Sequence, residues 1–233
     1  MPKYAVVTGA SRGIGYQTAL HLARAGHFVI GTARSEELLE QLKSEKPDRI
    51  HIYAADLTDQ VEMKDLIYFI NETFDEVDIL VNNAGSLINK PFAQLNLDDW
   101  NAMISTNLLS AVWLIRSLLD SFSSPAHVVN ISSMGGFQGS RKFPGLTAYS
   151  VAKGGLSILS ECLANELAEY RVRMNTLCLG AVQTNMLEEA FPGMEAPVSS
   201  EQMGEYISNF SLEGVRYYNG KILPVALSDP DYS

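Results

Sequence analysis

The chain alternates short runs rich in apolar residues with longer segments in which apolar residues recur every three or four positions. The short runs cover residues 4–8, 27–33, 49–54, 77–82, 126–132 and 172–177. Near-continuous apolarity over so few residues is typical of strands that are buried on both faces of a sheet. The pattern therefore predicts at least six buried strands.

Four of the intervening segments carry apolar stripes with helical spacing. Strand–helix alternation along nearly the whole chain indicates right-handed crossovers and a parallel sheet covered by helices on both faces. We therefore predict an α/β, doubly wound parallel sheet in a single domain over residues 1–233. The stripes are Leu38, Leu39 and Leu42; Met63, Leu66, Ile67 and Ile70; Trp100, Met103, Ile104, Leu108, Ala111 and Ile115; and Ala152, Leu156, Leu159, Leu163 and Leu167.

The last fifty residues follow a different pattern. Within residues 185–212 we expect a mobile substrate lid, which includes a possible helix at 201–210. Residues 221–227 predict an edge strand, although Pro224 would interrupt its hydrogen-bond ladder. The lid carries apolar side chains that suggest one wall of a pocket: Met186, Leu187, Phe191 and Met194.

Composition narrows the classes of protein. Hydrophobic residues make up 46% and charged residues 19% of the 233 positions, which excludes intrinsic disorder. Lys and Arg number 17 against 27 Asp and Glu, a formal charge of −10. That balance argues against binding to nucleic acid or to an anionic membrane surface. No plausible membrane span or signal peptide is evident, and Cys162 and Cys178 form no disulfide framework, so we expect a cytoplasmic protein. The histidines show no ligand spacing, so no metal is expected: His21, His27, His51 and His127.

A glycine-rich loop follows the first predicted strand and leads directly into a helix pattern. Gly9, Gly13 and Gly15 permit a tight turn and a close approach of the backbone to a pyrophosphate. The helix that follows would present its free N–H groups and positive dipole end to that anion, next to Ser11 and Ile14. The plainer alternative is a strand–helix turn whose glycines serve only close packing.

The end of the second strand bears on the choice of nucleotide. A carboxylate there would bind the adenosine ribose, but this chain has Ala33 followed by Arg34. Arg12, in the glycine loop, could meet the same ribose. Two guanidinium groups favour a 2′-phosphate, and hence NADP(H) over NAD(H), with NAD(H) still possible. Alternatively, both arginines are solvated surface charges.

Two further loops follow the third and fourth strands. Asp56 and Leu57 follow the third strand, and residues 82–85 follow the fourth, at the edge where open α/β sheets bind ligands. Asp56 could accept from an adenine amino group, and Asn82 or Asn83 could join two loops. Loop capping by Asp and Asn is the alternative.

Candidate chemistry lies near the fifth strand and the helix after it. The strand ends in Ser132 and Ser133, and Tyr149 and Lys153 follow, one helical turn apart. A tyrosine has a reference pKa of about 10, and a nearby ammonium is expected to lower it, which would make Tyr149 a general acid or base. Ser133 could donate to a carbonyl oxygen as charge develops there. A Tyr and a Lys four residues apart can also occur by chance in any helix.

Taken together, segments 8–15, 82–85 and 149–153 with Ser133 resemble the short-chain dehydrogenase/reductase family in its single-domain form. The resemblance spans residues 3 to about 185. It implies a seven-stranded Rossmann sheet and hydride transfer between a nicotinamide and a carbonyl or alcohol carbon. It favours Ser133 over Ser132. It also implies that Asn107 kinks its helix and holds a water that relays protons through Lys153.

The predicted catalytic set is therefore Asn107, Ser133, Tyr149 and Lys153. The predicted cofactor-binding set is Gly9, Ser11, Arg12, Gly13, Ile14, Gly15, Arg34, Asp56, Leu57, Asn83, Ala84, Gly85, Tyr149, Lys153, Gly180 and Thr184.

Two departures from the family pattern concern the substrate and the nicotinamide. The interval between Ser133 and Tyr149 is longer than usual and carries Arg141 and Lys142, which would meet an acidic or phosphorylated substrate at the rim unless they are simply solvated. Gly180 follows a leucine rather than the usual proline, but it still allows a backbone contact with the carboxamide. We expect an NADP-dependent oxidoreductase that acts on a carbonyl or secondary alcohol as a homodimer or homotetramer. The alternative is a catalytically idle dinucleotide-binding sensor or scaffold.

Overall fold

The computed structural model describes residues 1–227. The strands are β1 Tyr4–Thr8, β2 Phe28–Ala33, β3 Ile50–Ala54, β4 Val77–Asn82, β5 Phe122–Ser133, β6 Val172–Leu179, β7 Val182–Gln183, β8 Val198–Ser199 and β9 Lys221–Val225. The helices are α1 Gly13–Arg24, α2 Glu36–Glu45, α3 Gln60–Thr73, α4 Leu97–Ile104, α5 Ser110–Ser117, α6 Thr147–Glu166, α7 Asn185–Ala190 and α8 Ser200–Glu213. In the part of the chain so described, none of the helices combines the length and the apolarity that crossing a membrane requires.

Seven strands form one parallel sheet in the order β3-β2-β1-β4-β5-β6-β9. The direction in which successive strands are added reverses between β1 and β4: β2 and β3 lie on one side of β1, and β4, β5, β6 and β9 lie on the other. This arrangement confirms the predicted Rossmann fold, and it places the carboxyl ends of all seven strands along one edge.

Alternate side chains of the buried strands pack into two separate hydrophobic cores, one on each face of the sheet. On β1, Ala5 and Val7 pack with α1, α2 and α8, whereas Val6 packs with α3, α5 and α6. All three side chains are fully buried. Burial on both faces explains why the central strands have no polar face in the sequence.

Three elements differ from the sequence-based expectation. β5 begins at Phe122 rather than at 126. The sequence pattern missed its first half because two serines and a proline interrupt the apolar run there. The predicted helix over 100–115 is two helices joined by a π-helical turn, Ser105–Leu109. Pro224 does not end the last strand, because β9 pairs only with β6 and an edge strand tolerates a missing N–H on its open side.

The segment predicted as a lid consists of two parts with different surroundings. Residues 184–197 leave the sheet and return between β7 and β8, which pair with each other. α8, by contrast, packs against α1 with Met203, Ile207 and Phe210 in the core. Gly204 allows this approach, since a side chain there would overlap Gln17. The mobility of the lid stays a prediction.

Candidate active site

One cavity of about 1210 Å³ opens along the carboxyl edge of the sheet. Its walls come from the loops after β1 to β6, from α6 and from residues 184–197. Every predicted site residue lines it except Gly15. The topology therefore gathers residues from 9 to 184 around one space.

The glycine loop uses its three glycines in two ways. Gly9 and Gly13 have positive φ angles of 66° and 58°, a conformation that L-residues with side chains rarely adopt. Gly15 lies beneath the loop, where a Cβ would overlap the carbonyl oxygen of Gly9. Gly15 therefore lets α1 pack close to β1, and the structure gives it no place in the cavity wall.

The first turn of α1 faces the cavity without an acceptor of its own. Side chains cap α2, α3, α4, α7 and α8, but among residues 1–227 no side chain caps α1. Ser11, Gly13 and Ile14 at this turn line the cavity. Uncapped N–H groups and the helix dipole form a site for an anion, so these residues fit the pyrophosphate of a dinucleotide.

Asn83 joins the loops after β1 and β4. Its Nδ2 donates to the carbonyl oxygens of Thr8 at 3.0 Å and Gly9 at 3.3 Å. The Thr8 hydroxyl in turn accepts from the backbone N–H groups of Asn83 and Ala84. Asn82 points elsewhere, since its side chain donates to Asn130 Oδ1 inside the sheet at 2.8 Å. Of the two asparagines considered from the sequence, Asn83 is the one that ties the loops together.

Arg34, Asp56 and Leu57 line the end of the cavity that we assign to adenosine. Burial alone would raise the pKa of Asp56, but hydrogen bonds from Thr58 and the charge of Arg34 lower it overall. The same end is lined by residues that the sequence analysis did not single out: Ser35, Leu38, Ala55 and Thr58. Their positions directly after β2 and β3 are the signal that could have found them.

Arg12 has a partner on the opposite wall. Its Nη1 lies 3.5 Å from Glu189 Oε1, and both side chains are exposed. This ion pair joins the glycine loop to α7.

Tyr149 and Lys153 lie on α6 beside the end of β5. Both side chains are buried. Lys153 Nζ donates to the carbonyl oxygen of Ile131 at 2.8 Å and lies 5.9 Å from the centroid of the Tyr149 ring. The catalytic helix is thus fastened to the strand that carries the serine pair.

The two serines at the end of β5 have different partners. Ser132 donates to the backbone carbonyl of Lys153 at 2.9 Å and is buried. Ser133 accepts from the N–H of Gly135 at 3.1 Å, which leaves its own proton free to be donated. A hydrogen bond from Ser133 also lowers the pKa of Tyr149. The Ser132 hydroxyl is therefore engaged within the fold, whereas that of Ser133 lies at the cavity with its proton available.

Burial governs the titration of both α6 groups. It raises the pKa of Tyr149 to about 12, against the opposing effect of Ser133, and it lowers the pKa of Lys153 to about 8. The expected net lowering of the Tyr149 pKa is wrong for the protein alone, in which burial raises it. Loss of hydration disfavours both the phenolate of Tyr149 and the ammonium of Lys153. At the distance between the two groups, their mutual attraction is too weak to offset this loss.

Asn107 lies in the π-helical turn and is buried. Its Nδ2 donates to the carbonyl oxygens of Met103 and Ser86, both at 3.0 Å, and its Oδ1 accepts from Ser86 N–H at 3.2 Å. A Cβ on Gly85 would lie 2.7 Å from Asn107 Oδ1 and 3.3 Å from Lys153 Nζ. Asn107 and Lys153 therefore both border Gly85.

Gly180 and Thr184 approach the cavity after β6. The N–H of Gly180 donates to the carbonyl of Val225 at 2.9 Å. The backbone group of Gly180 that remains available to a carboxamide is therefore its carbonyl oxygen. Thr184 accepts from Leu187 N–H and lies opposite Gly13, within 3.5 Å of where a Cβ on Gly13 would stand. Its hydroxyl proton remains available for a phosphate.

The remaining wall is mainly apolar. The four lid residues predicted to form a pocket wall all line the cavity: Met186, Leu187, Phe191 and Met194. Sequence analysis missed Leu87, Asn101 and Leu146, which come from loops and helix ends without a recognisable motif. Arg141 and Lys142 do not line this cavity; Lys142 instead donates to the carbonyls of Met134 and Phe137 and to the Ser140 hydroxyl.

A parallel sheet with a glycine loop after β1, at the point where the strand order reverses, is the arrangement of dinucleotide-binding proteins. The family model described as short chain dehydrogenase matches residues 3–195. The chain therefore belongs to the short-chain dehydrogenase family, whose members are oxidoreductases that use nicotinamide cofactors.

Individual relatives span most of the chain. The 3-oxoacyl-[acyl-carrier-protein] reductase FabG of Haemophilus influenzae is 34% identical over 209 residues, which cover 87% of this chain and 85% of the relative. An uncharacterized oxidoreductase of Staphylococcus saprophyticus is 31% identical over 209 residues, with 87% and 88% covered. A crystal structure from Agrobacterium tumefaciens, provisionally described as a gluconate dehydrogenase, superposes with a TM-score of 0.85 at 28% identity over 96% of this chain and 94% of that one.

Proposed function

We propose that the protein transfers a hydride between NADP(H) and a carbonyl or secondary alcohol substrate, with Tyr149 as the general acid or base. The convergence of Ser133, Tyr149 and Lys153 in the cavity that also holds the uncapped start of α1 is the observation that carries this proposal. A nicotinamide supplies the hydride when bound. The protein supplies binding, orientation and the proton.

Each catalytic side chain has a distinct part in handling that proton. Ser133, held by Gly135 N–H, donates to the substrate oxygen as negative charge develops on it. Tyr149 gives its proton to that oxygen in reduction and takes it back in oxidation. Lys153 stabilises the phenolate that forms, and Asn107, next to Gly85 and Lys153, leads protons away from the buried pair.

The preference for NADP(H) rests on the end of β2. Ala33 supplies no carboxylate for a ribose hydroxyl, and Arg34 lines the cavity directly after it. Arg12 provides a second guanidinium once it leaves Glu189. Two forks with several donors suit a 2′-phosphate, whereas a ribose hydroxyl alone would leave them unpaired.

We also propose a homodimer formed through the outer faces of α5 and α6, with a homotetramer as its possible extension. Large apolar side chains on these faces are exposed: Leu109, Trp113, Val151 and Ile158. Burying such residues against a second copy would remove them from water. A Trp113→Glu variant should shift the protein to the monomer in analytical ultracentrifugation. We place this assembly in the cytoplasm, because its two thiols are unpaired.

A screen of ketones and aldehydes that follows NADPH absorbance tests the proposed activity. Tyr149→Phe removes only the hydroxyl, so turnover should fall by about 10²-fold or more while NADPH binding persists. The idle-sensor alternative predicts instead that wild type turns over no carbonyl substrate and that the biological role survives Tyr149→Phe.

A further inference from the structure

The cavity has a substrate chamber, which we define as the part enclosed by the loop after β4, the loop before α6 and residues 184–197. Two hydrogen bonds join these three walls. Asn89 Nδ2 donates to the carbonyl oxygen of Ala190 at 3.0 Å, and Lys90 N–H donates to that of Gly145 at 2.9 Å. The chamber is lined mainly by apolar side chains: Leu87, Phe143, Leu146, Met186, Phe191 and Met194.

An anionic substrate would need a cationic side chain facing it in the chamber. Arg141 and Lys142 lie on the loop before α6, but neither lines the cavity, and Lys142 donates to carbonyls of its own loop. Within residues 1–227, the cations that line the cavity are Arg12 and Arg34 at the adenosine end, and Lys153 beside Tyr149. Lys90, which lies on the loop after β4, is paired with Asp99 at 2.6 Å. Residues 174–215 contain no Lys or Arg, and neither do residues 228–233.

The mouth of the chamber carries the opposite charge. Glu195 lines the cavity and is exposed. Glu188 and Glu189, on α7 in the same segment, do not line the cavity. A carboxylate substrate would approach Glu195 and then leave water without a cationic partner in the chamber, which is costly in an apolar space.

We propose that the chamber takes an uncharged, largely apolar ketone or the corresponding secondary alcohol and rejects carboxylate substrates, with Glu195 contributing to the rejection. This inference rests on the proposed function. An acid with a pKa of about 4 is neutral in roughly one molecule per thousand at pH 7, so entry as the neutral acid sets a penalty of about 10³-fold. This penalty on the kcat/KM of the acid becomes tenfold smaller for each unit by which pH decreases, because the neutral fraction of the acid rises tenfold.

The test compares esters with their free acids. Values of kcat/KM with NADPH are measured for methyl levulinate against levulinate and for methyl benzoylpropionate against benzoylpropionate, between pH 6 and 8, with acetophenone as reference. We expect each ester to exceed its acid by 10² to 10³-fold at pH 7. The value for the acid should rise relative to that for its ester as pH falls. An acid that equals its ester, with a ratio independent of pH, would overturn the inference.

Charge-reversal variants examine the contribution of Glu195. Glu195→Lys should narrow the gap between acid and ester by about tenfold through a partner charge at the mouth. Glu205→Lys is the matched control, because it makes the same change of net charge at an exposed site on α8 outside the cavity. Equal effects of both variants would refute a local role of Glu195. Failure of wild type to reduce acetophenone and both esters would overturn the proposed function, and the inference with it.

Discussion

Lys153 stands beside Tyr149 with its ammonium 5.9 Å from the ring centroid, yet it donates its hydrogen bond to the Ile131 carbonyl at 2.8 Å. The lysine therefore connects the catalytic helix to β5 as well as bringing a positive charge near the phenol. Both groups are buried, and burial opposes the charged state of each.

The buried ammonium should make the stability of the protein depend on alkaline pH. The pKa of Lys153 is about 8 in the folded protein and 10.5 in the unfolded chain, so the unfolded state binds more protons between these values. The free energy of unfolding should therefore rise with pH in that window, by about 3 kcal/mol in total. Denaturant unfolding of wild type and Lys153→Met at pH 8 and 10.5 checks this, because the difference should grow only through Lys153. A difference that stays constant contradicts it.

Cofactor preference should respond to Arg34, which follows β2, and to Glu189, the partner of Arg12. Arg34→Ala should weaken NADP binding by about 10 to 100-fold, since it removes a charged hydrogen-bond donor, and should leave NAD binding nearly unchanged. Glu189→Gln should tighten NADP binding by up to about fivefold, because the exposed pair that holds Arg12 is weak. Fluorescence titration with both nucleotides measures these changes. An unchanged NADP to NAD ratio in Arg34→Ala would refute the assignment.

Two glycine-to-alanine substitutions should have opposite effects. Gly15→Ala would drive a methyl group into the Gly9 carbonyl and the Asn83 side chain, so it should lower both stability and nucleotide affinity. Gly154→Ala on α6 would place its methyl in ordinary contact, 3.5 Å from the Gly136 oxygen. It should stabilise the protein by up to about 1 kcal/mol through helix propensity. Thermal melts with and without NADPH compare the pair, and equal loss of stability in both would contradict this explanation.

His127 should weaken the fold in mild acid. Burial lowers its pKa to about 4, and its ring contacts the Ser211 carbonyl and the Asn175 side chain. The unfolded chain takes up this proton near pH 6.5, so the neutral ring stabilises the fold above that value and the contribution is lost as pH falls to 4. The loss amounts to about 3 kcal/mol. Relative to His127→Gln, wild type should lose that much between pH 7 and 4, and parallel pH profiles would disprove it.

The sheet could be predicted closely because most of its strands are buried on both faces, and that burial leaves apolar runs in the sequence. The first half of β5 could not, since Ser123, Ser124 and Pro125 read as a turn. The π-helical turn at Asn107 also leaves no mark in a continuous apolar stripe. In both places tertiary packing overrides the local pattern.

The site divides in the same way. Motifs with fixed spacing, such as the glycine loop and the Tyr149–Lys153 pair, indicate which residues meet. They do not indicate partners that depend on long-range folding, such as Glu189 for Arg12 or the Ala190 carbonyl for Asn89. The spacing of Tyr149 and Lys153 also does not show whether the effect of burial on a pKa exceeds that of a nearby charge. The predicted direction of the Tyr149 pKa shift was wrong for this reason.

The short β7–β8 ladder pins residues 184–197 at both ends, with Gln183 Oε1 also accepting from Ala196 N–H. Because the excursion starts and finishes at one closed stem, its interior can change in length or sequence without pulling on the main sheet. The stem thus makes most of this stretch exchangeable for another sequence that reshapes the substrate chamber, as long as Thr184 and Glu189, which contact the glycine loop, are kept.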